Sequence, residues 1–294
     1  MAQKRRHHYV PQFYLRGFSD PATPAGHTPF LWVLDKHSGA VARRAPQNLA
    51  HAIGFYAANT PQGVDYETLE NELSQIESRA AFELRRYLSA EEGKRGAIQP
   101  GLATFISWLA ARVPAFRRAA EEQWSDFLLA AAHGETQIPD DSDFRCMLRE
   151  RGGGTVLALP LPDALAAIRS EAWSPCFSTS QYAEVMRVQV WYFRFKHFPA
   201  LAWTFLTAPD GFSFVTSDRP VVWQVPGAAL SDNPGALRHP DVQLTLPLSP
   251  RHALLGTPKP PPPGFGISVA EVNQRTIEFA EKFVVGSSAS LLGS

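Results

Sequence analysis

Arg5-Arg6-His7-His8-Tyr9-Val10-Pro11-Gln12-Phe13-Tyr14-Leu15-Arg16-Gly17-Phe18 opens the chain almost at once. Chain ends ordinarily fray, because few contacts hold them. This one carries two adjacent histidines, a proline, four aromatics and three arginines. A terminus of that composition is expected to be tied down at a site. Pro11 lacks the N–H that a first helical turn would leave unpaired, and its ring presets φ. Gln12 to Arg16 are adequate helix formers, and Gly17 suits a C-terminal cap. The segment therefore reads as extended through Val10, then as a short helix. Tyr14 and Phe18 fall on one side of it, four apart. In an extended segment His7 and His8 point to opposite sides. One can then bind a metal while the other faces a substrate.

Working outward, residues 19–28 are rich in Pro, Gly, Asp and Thr and read as a loop. Residues 30–34 read as a strand, His37-Ser38-Gly39 as a turn and residues 40–45 as the return strand of a hairpin. Pro46-Gln47-Asn48 leads into a short helical or looped piece through His51. Asp65 is a good N-cap for a helix to about residue 88. Leu69, Leu73, Ile76, Ala80 and Leu84 form its apolar stripe. Glu70 and Glu77, seven apart, lie beside that stripe on one face. Two such carboxylates can serve a metal or acid–base site; pairing with Arg79, Arg85 or Arg86 is the simpler account.

A long helix is expected over residues 101–133, bent or split at Arg112-Val113-Pro114, since proline removes a backbone bond. Arg112, Arg117 and Arg118 there either face a phosphate or bridge to Glu121 and Glu122. The glycines of 149–154 lack the Lys-Ser/Thr that follows in a phosphate-binding loop. Residues 161–168 read as a short helix. Residues 182–198 mix strand-like aromatics and β-branched residues with helical length; a helix packed on the C-terminal sheet is the expectation. Short strands follow at 202–206, 212–216, 221–225, 244–246 and 253–255. Between two of them, Asp218 of Ser217-Asp218-Arg219-Pro220 is expected to bond its own backbone two residues on, or to meet the N-terminal histidines as a carboxylate. Residues 258–263 read as a polyproline turn. Ser268-Val269-Ala270-Glu271 is a capping box. It opens a helix to about residue 283, with Val284-Val285 as a last strand.

Lys plus Arg and Asp plus Glu are equal, so the net charge is zero. Nucleic acid would have to be drawn by a local patch, such as Lys4, Arg5 and Arg6, rather than by a global field. Cys146 and Cys176 have neither metal-site spacing nor a neighbouring histidine. No secretory apolar segment and no run of membrane length is visible, so a cytoplasmic protein with no membrane contact is expected.

The segment His-His-Tyr-Val-Pro-Gln-Phe-Tyr-Leu-Arg-Gly-Phe resembles the opening signature of a bacterial family, domain of unknown function 4238. The likeness continues through Leu31-Trp32-Val33-Leu34-Asp35-Lys36, Asn48-Leu49, Gly54-Phe55-Tyr56, Leu69-Glu70, Ile76-Glu77, Arg112-Val113-Pro114, Thr216-Ser217-Asp218-Arg219-Pro220 and Leu246-Pro247-Leu248-Ser249-Pro250. Arg219 stands where asparagine is expected. That family implies no mechanism. More locally, His7-His8-Tyr9-Val10-Pro11 is similar to the His-His-Ile-Val-Pro strand of HNH (His-Me finger) endonucleases. That resemblance implies His8 as the base that activates water, His7 as a ligand of a divalent metal, Asn48 as the residue orienting the base and His51 as a possible second ligand. Two features depart from the HNH pattern: the Asn48–His51 interval is short, and no Gly-Gly turn follows the proline.

The expected fold is α+β: an N-terminal β-hairpin and helices, a helical middle and a C-terminal antiparallel sheet with a closing helix. Residues 1–294 are expected to form one unit, softly divided at 1–95, 96–200 and 201–294. The leading function is a metal-dependent phosphodiester hydrolase of nuclease type. In it His8 and Asn48 work with Arg16 in catalysis. His7 with Asp218, Glu77 or Glu70 holds Mg or Mn, and Arg5, Arg6, Gln12 and Tyr14 bind substrate. The rival is a non-catalytic binding or sensor protein in which the histidine pair is a buried plug anchoring the terminus.

Overall fold

The computed structural model describes residues 6–24, 26–60, 63–90, 98, 100–135, 163, 166, 169–170, 179–228, 234–261 and 267–293. The expectations for Lys4, Arg5, Cys146, Cys176, the glycines of 149–154 and most of the 161–168 helix lie outside them.

The opening segment is extended and then helical, as its proline and helix formers require. Strand β1 (Arg6–His8) precedes helix α1 (Gln12–Arg16), whose Tyr14 and Leu15 are buried. Gly17 closes α1, but with a right-handed φ of −60°. Its role is spatial: a Cβ would lie 3.1 Å from the Tyr14 carbonyl oxygen. Tyr14 and Phe18 pack with ring centroids 5.6 Å apart.

The hairpin of β2 (Leu31–Asp35) and β3 (Val41–Arg44) forms around Gly39, whose φ of +70° suits a residue without Cβ. It does not stand alone. Its sheet runs β3-β2-β12-β8, adding β12 (Phe283–Gly286) and β8 (Thr216–Ser217) from the C-terminal part. A second antiparallel sheet comprises β7 (Ala202–Thr207), β9 (Val222–Gln224), β10 (Gln243–Ser249) and β11 (His252–Thr257), in the order β7-β11-β10-β9. The C-terminal strands thus divide between two sheets, and the strand expected over 212–216 shrinks to β8. Alternation in the sequence marks a strand, but its partner is chosen by distant residues.

The piece expected to run helically through His51 is also different. A 3-10 turn, Pro46–Asn48, ends before Leu49. His51 then lies in β4 (His51–Ile53), which pairs antiparallel with β1: Arg6 opposite Ile53, His7 opposite Ala52 and His8 opposite His51. A small hairpin, β5 (Ala58–Thr60) and β6 (Gly63–Asp65), follows. Asp65 accepts from the N–H groups of Glu67 (2.8 Å) and Thr68 (3.1 Å), so it caps helix α2 (Thr68–Ser89) from the end of β6.

Pro114 splits the expected long helix into α3 (Pro100–Ala111) and α4 (Pro114–Ala132). Helix α3 is apolar on most of its circumference and is buried from Phe105 to Ala111, the mark of a central helix. Residues 182–198 are helical, as α5 (Thr179–Tyr192) and a π-helical turn (Phe193–His197). Phe193 meets Trp223 of β9 at 6.0 Å, which seats this segment on the second sheet. Helix α6 (Val269–Phe279) carries a complete capping box. Ser268 Oγ accepts from the Glu271 N–H, and Glu271 Oε2 accepts from the Ser268 N–H. It stops short of residue 283 because the chain must extend into β12.

Tyr14 joins these parts. Its hydroxyl donates to the Pro247 carbonyl of β10 at 2.7 Å and receives the Thr216 hydroxyl of β8 at 2.8 Å. One side chain of α1 therefore touches both sheets. Tyr14→Phe keeps the ring and orphans both buried partners. It is expected to destabilise folding by about 1–3 kcal/mol, read as a lower denaturation midpoint at unchanged m-value; an unshifted midpoint would show the bridge is dispensable.

Candidate functional site

The β1–β4 pair sends its two histidines to opposite faces, as extended backbone requires. His7 is fully buried. Its Nδ1 accepts from the Tyr56 N–H at 2.8 Å, and its Nε2–H donates to the Tyr66 carbonyl at 2.9 Å. The Tyr56 ring stacks on it at 5.4 Å. Both nitrogens are thus engaged, and the tautomer is set by the bond each makes. The metal-ligand role expected of His7 has no lone pair to use; His7 anchors the terminus.

His8 faces the other way and is partly exposed. Its Nε2 lies 3.3 Å from the Gln47 carbonyl and 3.4 Å from the Gln12 side-chain nitrogen. Only N–H can satisfy a carbonyl; with the proton on Nε2, Gln47 is the partner and the Gln12 amide nitrogen, itself a donor, is only a neighbour. Nδ1 is then a lone pair with no hydrogen-bond partner among the described residues. Burial holds the imidazole below its ordinary pKa, and the charges of His51 and Arg112 push the same way against Gln47 and Glu77. His51 lies edge-on to His8, with ring centroids 5.5 Å apart. It too is held below its ordinary pKa, first by burial and then by Arg6. Ala50, just before His51, has φ of +50° and is buried. A residue with Cβ in that region carries strain on the order of 1–2 kcal/mol, and such strain clusters at functional sites. The Ala50 carbonyl accepts from the Tyr9 N–H at 2.8 Å, holding the turn against the opening strand.

The other expected site residues disperse. Asn48 is exposed and makes no side-chain bond to His8; the neighbouring Gln47 carbonyl orients the ring instead. Gln12 stays beside His8, and its Oε1 accepts from exposed Arg16 at 3.3 Å. Tyr14 is sealed in the core, with burial driving its hydroxyl pKa far up, so it faces no substrate. Arg6 is exposed at the end of β1.

Glu77 accepts from buried Arg112 at 2.8 Å. The expected arginine neighbours on its own helix do not reach it, and Arg79 pairs with Glu83 instead. Arg117 does bridge to Glu121 at 3.1 Å, while Arg118 pairs with Glu281. Two further Arg112 donors, Nε and Nη2, are buried without a partner. Glu70 is partly exposed on α2, and its charge is felt at the Tyr56 hydroxyl.

Asp218 is buried, and it bonds at a distance rather than to its own turn. Oδ1 accepts from the Glu281 N–H at 3.1 Å and Oδ2 from the Lys282 N–H at 2.9 Å, pinning the link between α6 and β12. Burial raises its pKa against these bonds. The local turn bond comes from Ser217, whose Oγ accepts from the Arg219 N–H at 3.0 Å. His7, Glu77 and Asp218 therefore do not converge. Among the described residues no three His, Cys, Asp or Glu side chains are grouped to hold a metal ion.

What the opening motif builds is a His8–His51 pair with Gln12, Gln47, Arg6 and Arg16 around it, close enough to the Arg112–Glu77 ion pair for His8 to feel both charges. The pairing of His51 with His8 depends on strand register, which no local sequence signal announces. Arg112 stood out by its place near Pro114 and in the family likeness, and neither pointed to Glu77. A family model matches residues 6–290, nearly the whole chain, beginning at the first residue of β1. The chain belongs to the family described as protein of unknown function DUF4238. No curated protein and no solved structure matches it. Among the described residues of this DUF4238 chain, no helix is long and apolar enough to cross a membrane.

The electrostatics carry a pH dependence. His8, His51 and His197 all have depressed pKa values. Below the ordinary value of 6.5 the unfolded chain binds more protons at these positions than the fold does. Their contribution to stability is full above about pH 6.5 and falls as pH drops toward the depressed values. Asp218 acts in the opposite sense, but only in the carboxylate range. Melting temperature should decline from about pH 7 to about pH 5.5, and His8→Gln should flatten that decline; an equal slope in the variant would exclude His8 as a contributor.

Proposed function

We propose that the chain cleaves phosphodiester bonds, with His8 as the general base. The observation that carries this reading is a partly exposed histidine whose Nε2 faces the Gln47 carbonyl and whose Nδ1 has no hydrogen-bond partner among the described residues, with burial favouring the neutral ring. A base of that kind takes a proton from an attacking hydroxyl, of water or of a ribose. His51, 5.5 Å away, can in its protonated form return one to the leaving oxygen. Two such rings can flank a single phosphate. Gln12 lies beside His8 and accepts from Arg16, and the Arg6 charge is felt at His51. Both exposed guanidiniums can neutralise a phosphate there, and they supply the local basic patch that nucleic acid would need in a chain of zero net charge.

A divalent cation, Mg or Mn, was the expected cofactor. His7, Asp218 and Glu77 do not fit it: both His7 nitrogens and both Asp218 oxygens are bonded to backbone, Glu77 Oε1 accepts from Arg112, and the three do not converge. The steps above therefore run on side chains alone.

The second reading, a non-catalytic binding or sensor protein, is favoured by His7, which ties the terminus down with both nitrogens.

The test is cleavage of plasmid, single-stranded DNA and RNA, with Mg²⁺ or Mn²⁺ and with EDTA, by wild type, His8→Ala and His51→Ala. Cleavage is expected to survive EDTA and to fall about 100-fold or more in His8→Ala, with a bell-shaped pH profile that loses its alkaline limb in His51→Ala. Absence of cleavage on every substrate, with His8→Ala changing only the melting temperature, would overturn the catalytic reading in favour of the binding one. Activity abolished by EDTA would overturn the metal-free acid–base pair.

A further inference from the structure

A second surface, independent of the histidine pair, lies where α5 ends. Its last residues and the π-helical turn Phe193–His197 carry the aromatic-rich run that resembled a strand in the sequence. A π turn widens the helix by one residue and is frequent at functional sites. Trp191, Tyr192 and Phe195 are 48%, 41% and 52% exposed. Single surface aromatics are ordinary. These three form a cluster: the Trp191 ring lies 5.3 Å from Tyr192, edge-on, and 5.7 Å from Phe195.

The cluster is ringed by cations. Lys196 Nζ lies 5.9 Å from the Trp191 ring centroid, and the Arg194 guanidinium 4.9 Å from that of Phe195. Neither forms an ion pair among the described residues. Residues 185–209 contain no Asp or Glu, although the whole chain is charge-balanced. Tyr192 also borders a cavity of about 200 Å³ whose described wall includes Gln123, Gln189, His197 and Arg238. That is below the roughly 300–1,000 Å³ of a drug-sized pocket, and suits one ring system. Two amides and an imidazole there can bond the edge of a heterocycle. No carboxylate is among the described wall residues.

We propose that this surface binds single-stranded nucleic acid, with a base stacking on the Trp191–Phe195 platform, a neighbouring base edge entering the Tyr192 cavity, and Arg194, Lys196 and Arg238 meeting the backbone phosphates. Aromatic faces accept any base, and cations at their edge track the strand. A duplex keeps its bases stacked on one another and cannot offer them to the platform. The adjoining cavity, walled by two amides, an imidazole and a guanidinium, suits the polar edge of a base better than a lipid chain or an apolar protein side chain. The proposal does not depend on cleavage at His8.

The test is fluorescence anisotropy with labelled oligo-dT, oligo-rA and a duplex, using the His8→Ala protein so that no strand is cut. Saturable binding of both single strands, tighter than of the duplex, is expected. Trp191→Ala with Phe195→Ala should weaken it about 10-fold or more, and Trp191→Tyr should retain most of it. Arg194→Gln, Lys196→Gln and Arg238→Gln together should lower the slope of log affinity against log salt by about 2. Trp191, Phe195, Lys196 and Arg238 are exposed and Arg194 is half-buried, so melting temperatures should stay at that of the His8→Ala protein and confirm folded variants. Absence of single-strand binding by the His8→Ala protein would overturn the proposal, as would equal affinity in the aromatic variant. Loss of vesicle binding or of self-association in these variants, in place of strand binding, would assign the patch to a membrane or a protein instead. Failure of cleavage by the wild type with strand binding intact would remove only the His8 reading.

Discussion

A phenol hydroxyl in a dry core must find partners, and the arrangement of this protein depends on where the Tyr14 hydroxyl finds them. It lies between the Pro247 carbonyl of one sheet and the Thr216 hydroxyl of the other. The ring beneath it packs on Phe18 and on Phe105 of the central helix. An unpaired polar group in that place would be expensive, so α1 has little freedom to slide or rotate. The opening strand inherits that precision. With α1 held, β1 lies along β4, and the two histidines are delivered to opposite faces.

The same constraint redistributes the residues that looked chemical. His7, Asp218 and Arg112 are nearly inaccessible, and the bonds they make serve the fold. His7 accepts from one backbone segment and donates to another. Asp218 receives two N–H groups at the turn into β12. Arg112 is matched by Glu77, a pair that is stable only while both members are present. Burial that makes a residue look important in a motif is, at these three positions, burial in the service of connection. What is left at the surface of the motif is His8, with the one ring nitrogen the fold does not use, and His51 beside it behind the strained Ala50. The proposed chemistry is drawn from that remainder, and the aromatic cluster at the end of α5 is proposed as a separate hold on the same class of ligand.

Local rules were legible in the sequence wherever one stretch answers for itself. The extended-then-helical opening followed from Pro11. The break between α3 and α4 followed from Pro114, the capping box of α6 from Ser268 and Glu271, and the hairpin around Gly39 from its turn residues. The opposed faces of His7 and His8 followed from strand geometry alone. The family, too, was legible from the opening motif and the dipeptides strung along the chain. In each case the deciding interactions lie within a few residues, so composition and spacing determine them.

Tertiary structure decided the rest, because the partners are far apart in sequence. Nothing near Val284 says that β12 will lie between β2 and β8, and nothing near His51 says that it will face His8. Asp218 was read as a turn residue, yet its carboxylate reaches residues 281 and 282, leaving the local bond to Ser217. Glu77 was read against arginines on its own helix and is held by Arg112, just past the end of α3. A side chain's capacity to bond is written in its chemistry; which bond it makes depends on what the folded chain brings within about 3 Å of it, and that is settled only when the sheets and the central helix have packed.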